Sequence, residues 1–168
     1  MRFELPKEIK KAIPISHFPT IHQAFIYRAW EYVSYKKIAE ILETTEENVK
    51  KAACDMGLPE QCVGNEWLRN GYITIIKQMW HILPYEQLVE LLETDRETLA
   101  ITLREEDFLD LKLDEKPICE KVVWRELTEE EIIRTAEIKK IMETISFEGV
   151  KPFDFKYDVP NLVFSGKE

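Results

Sequence analysis

The sequence predicts an all-α fold: two tandem helix-turn-helix-like three-helix units packed together, an additional C-terminal helix and an extended tail. Three observations predict this fold. Residues 30–58 align without gaps on residues 80–108, with seven identities in 29 positions, where average composition gives roughly two. Apolar residues recur at helical spacing in both segments. Residues that form helix N-caps precede the predicted helices at matching places in the two segments.

The composition excludes several broad classes of protein. Of the 168 residues, 45% are hydrophobic and 33% are charged, which is typical of a folded domain and argues against global disorder. No run of apolar residues is long enough for a transmembrane helix, and the N-terminus lacks the apolar segment of a secretory signal. The three cysteines form no CxxC pair, which disfavours a disulfide framework. We therefore expect a cytoplasmic protein with buried or unreactive thiols.

Helix boundaries follow from local signals. An N-terminal arm over residues 1–19 precedes the first unit, predicted over residues 20–64. That unit opens with Thr20-Ile21-His22-Gln23, which fits a capping box at the start of a helix. The second unit is predicted over residues 65–113, with its first helix over about residues 67–82.

The second and third helices of each unit form the repeated part. A short helix over residues 35–43 has one apolar stripe, and residues 85–93 repeat it. Third helices begin at the capping boxes Thr44–Glu47 and Thr94–Glu97. Gly57 is suited to the left-handed C-cap that ends the third helix of the first unit.

Residues 35–49 resemble a helix-turn-helix motif, which raises the possibility of a DNA-binding regulator. Ala39 stands where the two helices cross closely. Two positions depart from the motif: Glu43 replaces the usual glycine of the turn, and Val89 replaces the small residue in the second unit. The sequence therefore predicts the helix-turn-helix structure of this segment more strongly than DNA binding by it.

Charge decides against DNA as the leading hypothesis. The net charge of the chain is −9, and only residues 1–58 are net positive, at +1. Acidic side chains accompany the basic ones on both third helices, and they oppose phosphate contact. Nucleic acid is thus a disfavoured partner, and a regulator using the first unit is the alternative hypothesis. Its DNA-contacting candidates are Lys36, Lys37, Asn48, Lys50 and Lys51.

The sequence gives no catalytic, metal-binding or cofactor-binding residues. His17, His22 and His81 lack the spacing of a metal site, and no nucleophile–base or phosphate-binding motif occurs. Trp30 and Trp80 are equivalent in the repeat, which predicts core packing. Trp67 and Trp124 are candidates for stacking on a ligand, and a free-standing sugar-binding module is a third hypothesis.

The C-terminal third contains one more predicted helix. A linker and helix are predicted over residues 114–146, and a capping box at Thr128 opens the helix. Residues 147–168 are predicted as an extended tail, since Phe153–Asp158 alternates apolar and polar side chains. Such an ending suggests a piece of a longer protein or a strand that awaits a partner.

The whole length from residue 14 to residue 158 also resembles a family. Five stretches are similar to the N-terminal region of large bacterial proteins without an assigned function: 15–20 (ISHFPT), 48–59 (NVKKAACDMGLP), 71–76 (GYITII), 83–88 (LPYEQL) and 103–109 (LREEDFL). Those proteins look like multidomain glycoside hydrolases with a catalytic barrel resembling family 20 further along. The resemblance implies that catalytic carboxylates lie beyond Glu168, and the N-terminal region of that family has no assigned chemistry to transfer to a residue here.

These inferences together predict a non-catalytic accessory or interaction module of a larger bacterial, carbohydrate-active protein. Its expected partner is an adjacent domain of the parent protein or a separate protein, with no membrane partner.

Overall fold

The computed structural model describes residues 4–13, 17–106 and 109–147, and it confirms the all-α class. The predicted tail lies outside these residues, except Phe147, which belongs to the last helix. The helices are α1 (Ile21–Ala29), α2 (Tyr35–Leu42), α3 (Glu46–Asp55), α4 (Trp67–Met79), α5 (Tyr85–Leu92), α6 (Arg96–Glu105), α7 (Leu109–Lys112) and α8 (Glu129–Phe147). The described strands are β1 (Glu8–Lys11) and β2 (Lys116–Ile118).

The second and third helices of the two units begin and end at positions 50 residues apart. The turns between them also match, because Glu43 and Glu93 adopt left-handed conformations with φ of 59° and 56°. A glycine usually occupies such a C-cap, since a side chain costs energy there. The turn therefore keeps its usual shape although its usual residue is missing.

The predicted N-caps of the third helices are wrong by one residue. The caps are Thr45 and Asp95, whose side chains accept hydrogen bonds from Asn48 N and Thr98 N. Thr44 N instead donates to Ala39 O at 3.0 Å, and Thr94 N to Val89 O at the same distance. These bonds complete the C-terminal caps of α2 and α5 and remove Thr44 and Thr94 from the capping role.

Equivalent helices of the two units pack against each other, α1 against α4 and α2 against α5. Across the second pair, Lys37 Nζ reaches Glu93 Oε2 at 2.9 Å. Gln87 holds the equivalent position in the second unit and is buried. Its amide nitrogen donates to Ile41 O and Val122 O, and its oxygen accepts from Val122 N. Polar side chains thus tie the two units together, Gln87 inside a shared apolar core and Lys37 through a partly exposed ion pair.

The tryptophans predicted to lie in the core are buried there. Trp30 and Trp80 are 4% and 1% exposed. Each indole N–H donates to a backbone carbonyl beyond the third helix of its own unit: Trp30 to Pro59 O at 2.8 Å, and Trp80 to Asp114 O at 2.7 Å. The equivalent indole hydrogen bond therefore holds the segment that follows the third helix in each unit.

The sequence analysis missed the two strands. β1, in the predicted N-terminal arm, pairs in parallel with β2, in the predicted linker, with Glu8 beside Lys116 and Lys11 beside Ile118. Both strands are short, and β2 contains a proline, so neither has the alternating pattern that identifies a strand. Val122–Trp124, an apolar run in the predicted linker, is irregular backbone.

Candidate functional site

Helix α8 lies against α3, the helix that would read DNA in a helix-turn-helix protein. Gly57, just after α3, lies close to α8. It has a φ of 85°, and a Cβ atom placed on it would lie 3.1 Å from Met142 Cβ and 3.2 Å from Lys139 Cα. Glycine is therefore required here both by the left-handed cap and by the backbone of α8.

Buried hydrogen bonds hold α8 to α1 as well. Gln23 Nε2 donates to Thr135 Oγ1 at 2.9 Å, and Thr135 Oγ1 donates to Glu131 O at 2.7 Å. Thr20 caps α1 as predicted by accepting from Gln23 N. The Gln23 side chain accepts from Thr20 Oγ1 with its oxygen and donates to α8 with its nitrogen. Gln23 and Thr135 are both nearly inaccessible to solvent, so this contact is part of the fold.

A capping box fixes the start of α8. Thr128 N donates to Glu131 Oε1 at 2.9 Å, and Glu131 N donates to Thr128 Oγ1 at 3.2 Å. Arg125 adds two further bonds to the Glu131 carboxylate. The guanidinium and the Thr128 amide lower the pKa of Glu131 to about 2, so this carboxylate is ionised at neutral pH.

A cleft of about 440 Å³ opens between α1, α3 and α8. Its walls mix apolar and charged groups, as small-ligand sites often do. The residues that line it are His22, Gln23, Asn48, Lys51, Ala52, Asp55, Trp124, Glu126, Leu127, Ile132, Thr135, Ala136 and Lys139.

Two aromatic side chains meet at this cleft. The rings of His22 and Trp124 lie 4.8 Å apart between centroids. Burial lowers the pKa of His22 to about 4, and the nearby cation of Arg125 acts in the same direction. The imidazole is therefore neutral at pH 7. Among the described residues, the buried Nε1 of Trp124 has no hydrogen-bond acceptor.

Three of the predicted site residues come together here: Asn48, Lys51 and Trp124. Asn48 donates to Thr44 Oγ1 at 2.8 Å, and Lys51 is paired with Asp55 at 2.8 Å. The DNA-contacting set and the ligand-stacking set thus overlap at one place, which the sequence analysis did not predict.

The other predicted site residues lie elsewhere. Lys37 is 13% exposed at its side chain and pairs with Glu40 and Glu93 between α2 and α5. Lys50 lies 4.4 Å above the ring of Tyr35, and Lys36 is exposed. Trp67 starts α4 and lines a different groove. The residues predicted to contact DNA therefore lie in separate environments instead of on one basic face.

His22, Gln23 and Thr135 are cleft residues that the sequence analysis did not identify. The Thr20–Gln23 spacing marked a helix start, but a long-range partner for Gln23 has no local signal. Thr135 lies among the apolar positions of α8, and this is the one feature of the sequence that could have indicated a buried polar contact. The thiols of Cys54 and Cys62 are exposed, so the first of the two expected alternatives, a buried thiol, is wrong for these two residues.

Comparison of the chain with protein-family models, with curated proteins and with solved structures finds no match. Within residues 4–13, 17–106 and 109–147, no cluster of three or more His, Cys, Asp or Glu side chains is arranged to hold a metal ion. Over the same residues, none of the helices has the length and apolarity needed to cross a bilayer.

Proposed function

We propose that this chain is a non-catalytic interaction module that packs against another protein domain. One observation carries the proposal: α8 packs beside the C-terminal end of α3, with Gly57 against the backbone of Lys139. In this position, α3 serves as a packing surface for α8. The resemblance to large bacterial proteins of the glycoside-hydrolase kind suggests a carbohydrate-active parent.

The outer side of α8 offers a surface for such a partner. Ile133 and Ile141 are 62% and 38% exposed, although both are large and apolar. Exposed apolar side chains on one element favour contact with another protein. The proposal also places the module in the cytoplasm, since the exposed thiols of Cys54 and Cys62 suit a reducing compartment.

Association with the polypeptide encoded directly after residue 168 tests the proposal. We expect that segment, produced separately, to bind the 168-residue chain in a calorimetric titration. Ile133→Asp should weaken binding, whereas Lys140→Ala, an exposed position on the same helix, should leave it unchanged. A stop codon directly after Glu168, or the absence of binding, contradicts the accessory role.

The alternative, a DNA-binding regulator, is tested by a mobility shift at low salt, where non-specific binding is strongest. Lys36 and Lys50 favour it because both remain exposed. We expect no retardation of mixed-sequence duplex DNA by the full chain. Retardation that Lys36→Ala and Lys50→Ala reduce would support the regulator and overturn our proposal.

A second candidate function is small-ligand binding, favoured by the meeting of Trp124, Asn48 and Lys51 at one cleft. It predicts a change in tryptophan fluorescence on titration with a panel of neutral oligosaccharides. Trp124→Phe should remove the change, and Trp67→Phe should retain it. A flat titration across the panel would count against this candidate.

A further inference from the structure

Lys116 is completely buried, although its side chain ends in an amine. It lies in β2, and its Nζ donates to Leu83 O at 2.6 Å and to Pro117 O at 3.3 Å. The rings of Tyr85 and Trp80 enclose the amine, with their centroids 5.2 and 5.8 Å from Nζ. Such surroundings are unusual for lysine, because burial disfavours its charged form.

The third polar neighbour of the amine is a thiol. Cys119 Sγ lies 3.6 Å from Lys116 Nζ and 3.7 Å from Pro117 O, to which the thiol donates. A neutral amine has two N–H groups and one lone pair. In the protonated form, Lys116 Nζ donates to three acceptors: Leu83 O, Pro117 O and Cys119 Sγ. When the proton directed at the sulfur is lost, the lone pair of the neutral amine faces Sγ.

We propose that Lys116 and Cys119 form a covalent bridge on oxidation, a sulfenamide bond between Nζ and Sγ. The pair is a modification site of its own and is independent of the cleft and of the proposed function. Its co-reactant is a hydroperoxide such as hydrogen peroxide.

The reaction proceeds in two balanced steps. Hydrogen peroxide transfers one oxygen atom to the Cys119 thiol, which becomes a sulfenic acid, and one water is released. The lone pair of Lys116 Nζ then attacks the sulfur. The N–S bond forms as the S–O bond breaks, and the departing hydroxide takes a proton from nitrogen and leaves as the second water. Sulfur is oxidised by two electrons, and the peroxide is reduced.

Burial has opposite effects on the two steps. Burial lowers the pKa of Lys116, which increases the fraction of the nucleophilic neutral amine. Burial also raises the pKa of the Cys119 thiol, so the thiolate that reacts with peroxide is a minor species at neutral pH. Cys119 is nevertheless only half-buried, so a small oxidant reaches it. We therefore expect slow bridging at pH 7 and faster bridging in mildly alkaline buffer.

Mass spectrometry of the full chain tests the bridge. The other two cysteines are first replaced, as Cys54→Ser and Cys62→Ser, so that no disulfide can form within the chain. After peroxide treatment of the folded protein, cleavage at glutamate releases residues 116–120, which contain both reactive residues. We expect this peptide to be lighter by about 2 Da, the mass of two hydrogen atoms lost in forming the N–S bond, and dithiothreitol to restore it.

Three controls separate this bridge from ordinary oxidation. Lys116→Met removes the amine and should give only oxygen addition at Cys119. Lys121→Arg changes an exposed lysine near the pair and should leave bridging unchanged. The unaltered amine treated in urea should bridge several-fold less than in the folded protein, because the carbonyls of Leu83 and Pro117 no longer orient it.

Two results would overturn the proposal. One is oxygen addition at Cys119 in the folded protein without the lighter peptide. The other is equal bridging in folded and urea-unfolded chains, since proximity in sequence would then explain it without the structure. Both readouts use a protein that retains Lys116 and Cys119, so a variant that fails to fold cannot obscure the outcome.

Discussion

The first and second units have matching second and third helices, but different elements pack against their third helices. In the first unit, α8 arrives from the far end of the chain and packs on α3. In the second unit, α7 follows α6 directly and packs on it, and Tyr72 of α4 shares a 3.1 Å hydrogen bond with Thr102. The repeated helices therefore have the same arrangement in both units, whereas the element that packs against the third helix differs between them.

Positions 37 and 87 are equivalent in the repeat, but they join the two units by different interactions. Lys37 uses a partly exposed ion pair, whereas Gln87 uses three hydrogen bonds from a buried amide. Partly exposed ion pairs contribute little to stability, while buried polar groups are costly to leave without partners. The comparison predicts that substitutions at position 87 are far more damaging than those at position 37.

The largest effect is expected for Gln87→Ala. The change leaves Val122 N, Val122 O and Ile41 O without their side-chain partner in the core, which should lower the free energy of unfolding by about 4 kcal/mol. Urea denaturation followed by circular dichroism measures it. Lys37→Met is the matched control, with an expected loss below about 1 kcal/mol. Equal losses at the two positions would contradict the asymmetry.

The second prediction concerns pH and the cleft side of the first unit. Because the pKa of His22 falls from 6.5 in the unfolded chain to about 4 in the fold, the fold prefers the neutral imidazole. Its contribution is complete above pH 6.5 and is lost as the pH falls towards 4. Between pH 7 and 4.5 this amounts to about 2.5 kcal/mol.

Urea denaturation at both pH values, for the natural chain and for His22→Gln, isolates this contribution. The natural chain should lose more stability on acidification than the variant, since glutamine does not titrate. Identical pH dependence in the two proteins would show that His22 is not held neutral by the fold.

The third prediction tests the contact between α3 and α8. Gly57→Ala introduces a Cβ atom close to Lys139 and Met142 at a positive φ, so we expect a loss of about 1.5 kcal/mol. Hydrogen exchange should speed up in α8 while α6 keeps its protection. Gly64→Ala, which has open space around it, should be nearly neutral. Unchanged exchange in α8 would indicate that the helix is not packed as described.

The smallest effect is expected for Lys51→Ala. Its pair with Asp55 is exposed, with 76% of the lysine side chain accessible, so the loss should stay below about 0.5 kcal/mol. Urea denaturation measures this as well. A loss as large as that of Gly57→Ala would mean that Lys51 helps to hold α8 across the cleft.

Local patterns predicted the helices well and the contacts between them poorly. The periodicity around Ile38 and Leu88 and the box at Thr128 depend on residues close in sequence, so the pattern contains the information. The caps at Thr45 and Asp95 were misplaced by one residue because two adjacent side chains could cap, and the left-handed turn before them decided between the two. Only Asn48, Lys51 and Trp124 of the cleft were identified, since its assembly depends on contacts such as Gln23 with Thr135, 112 positions apart.

The bridging amide at Gln87 has a consequence for how the molecule loses its structure. Its partners are Ile41 in the first unit and Val122 in the connecting segment. Gln87 of the second unit therefore depends on residues outside that unit for these buried hydrogen bonds. Cutting the chain between the units would leave two incomplete halves. Heating should therefore melt both repeats in one cooperative step, with equal calorimetric and van't Hoff enthalpies.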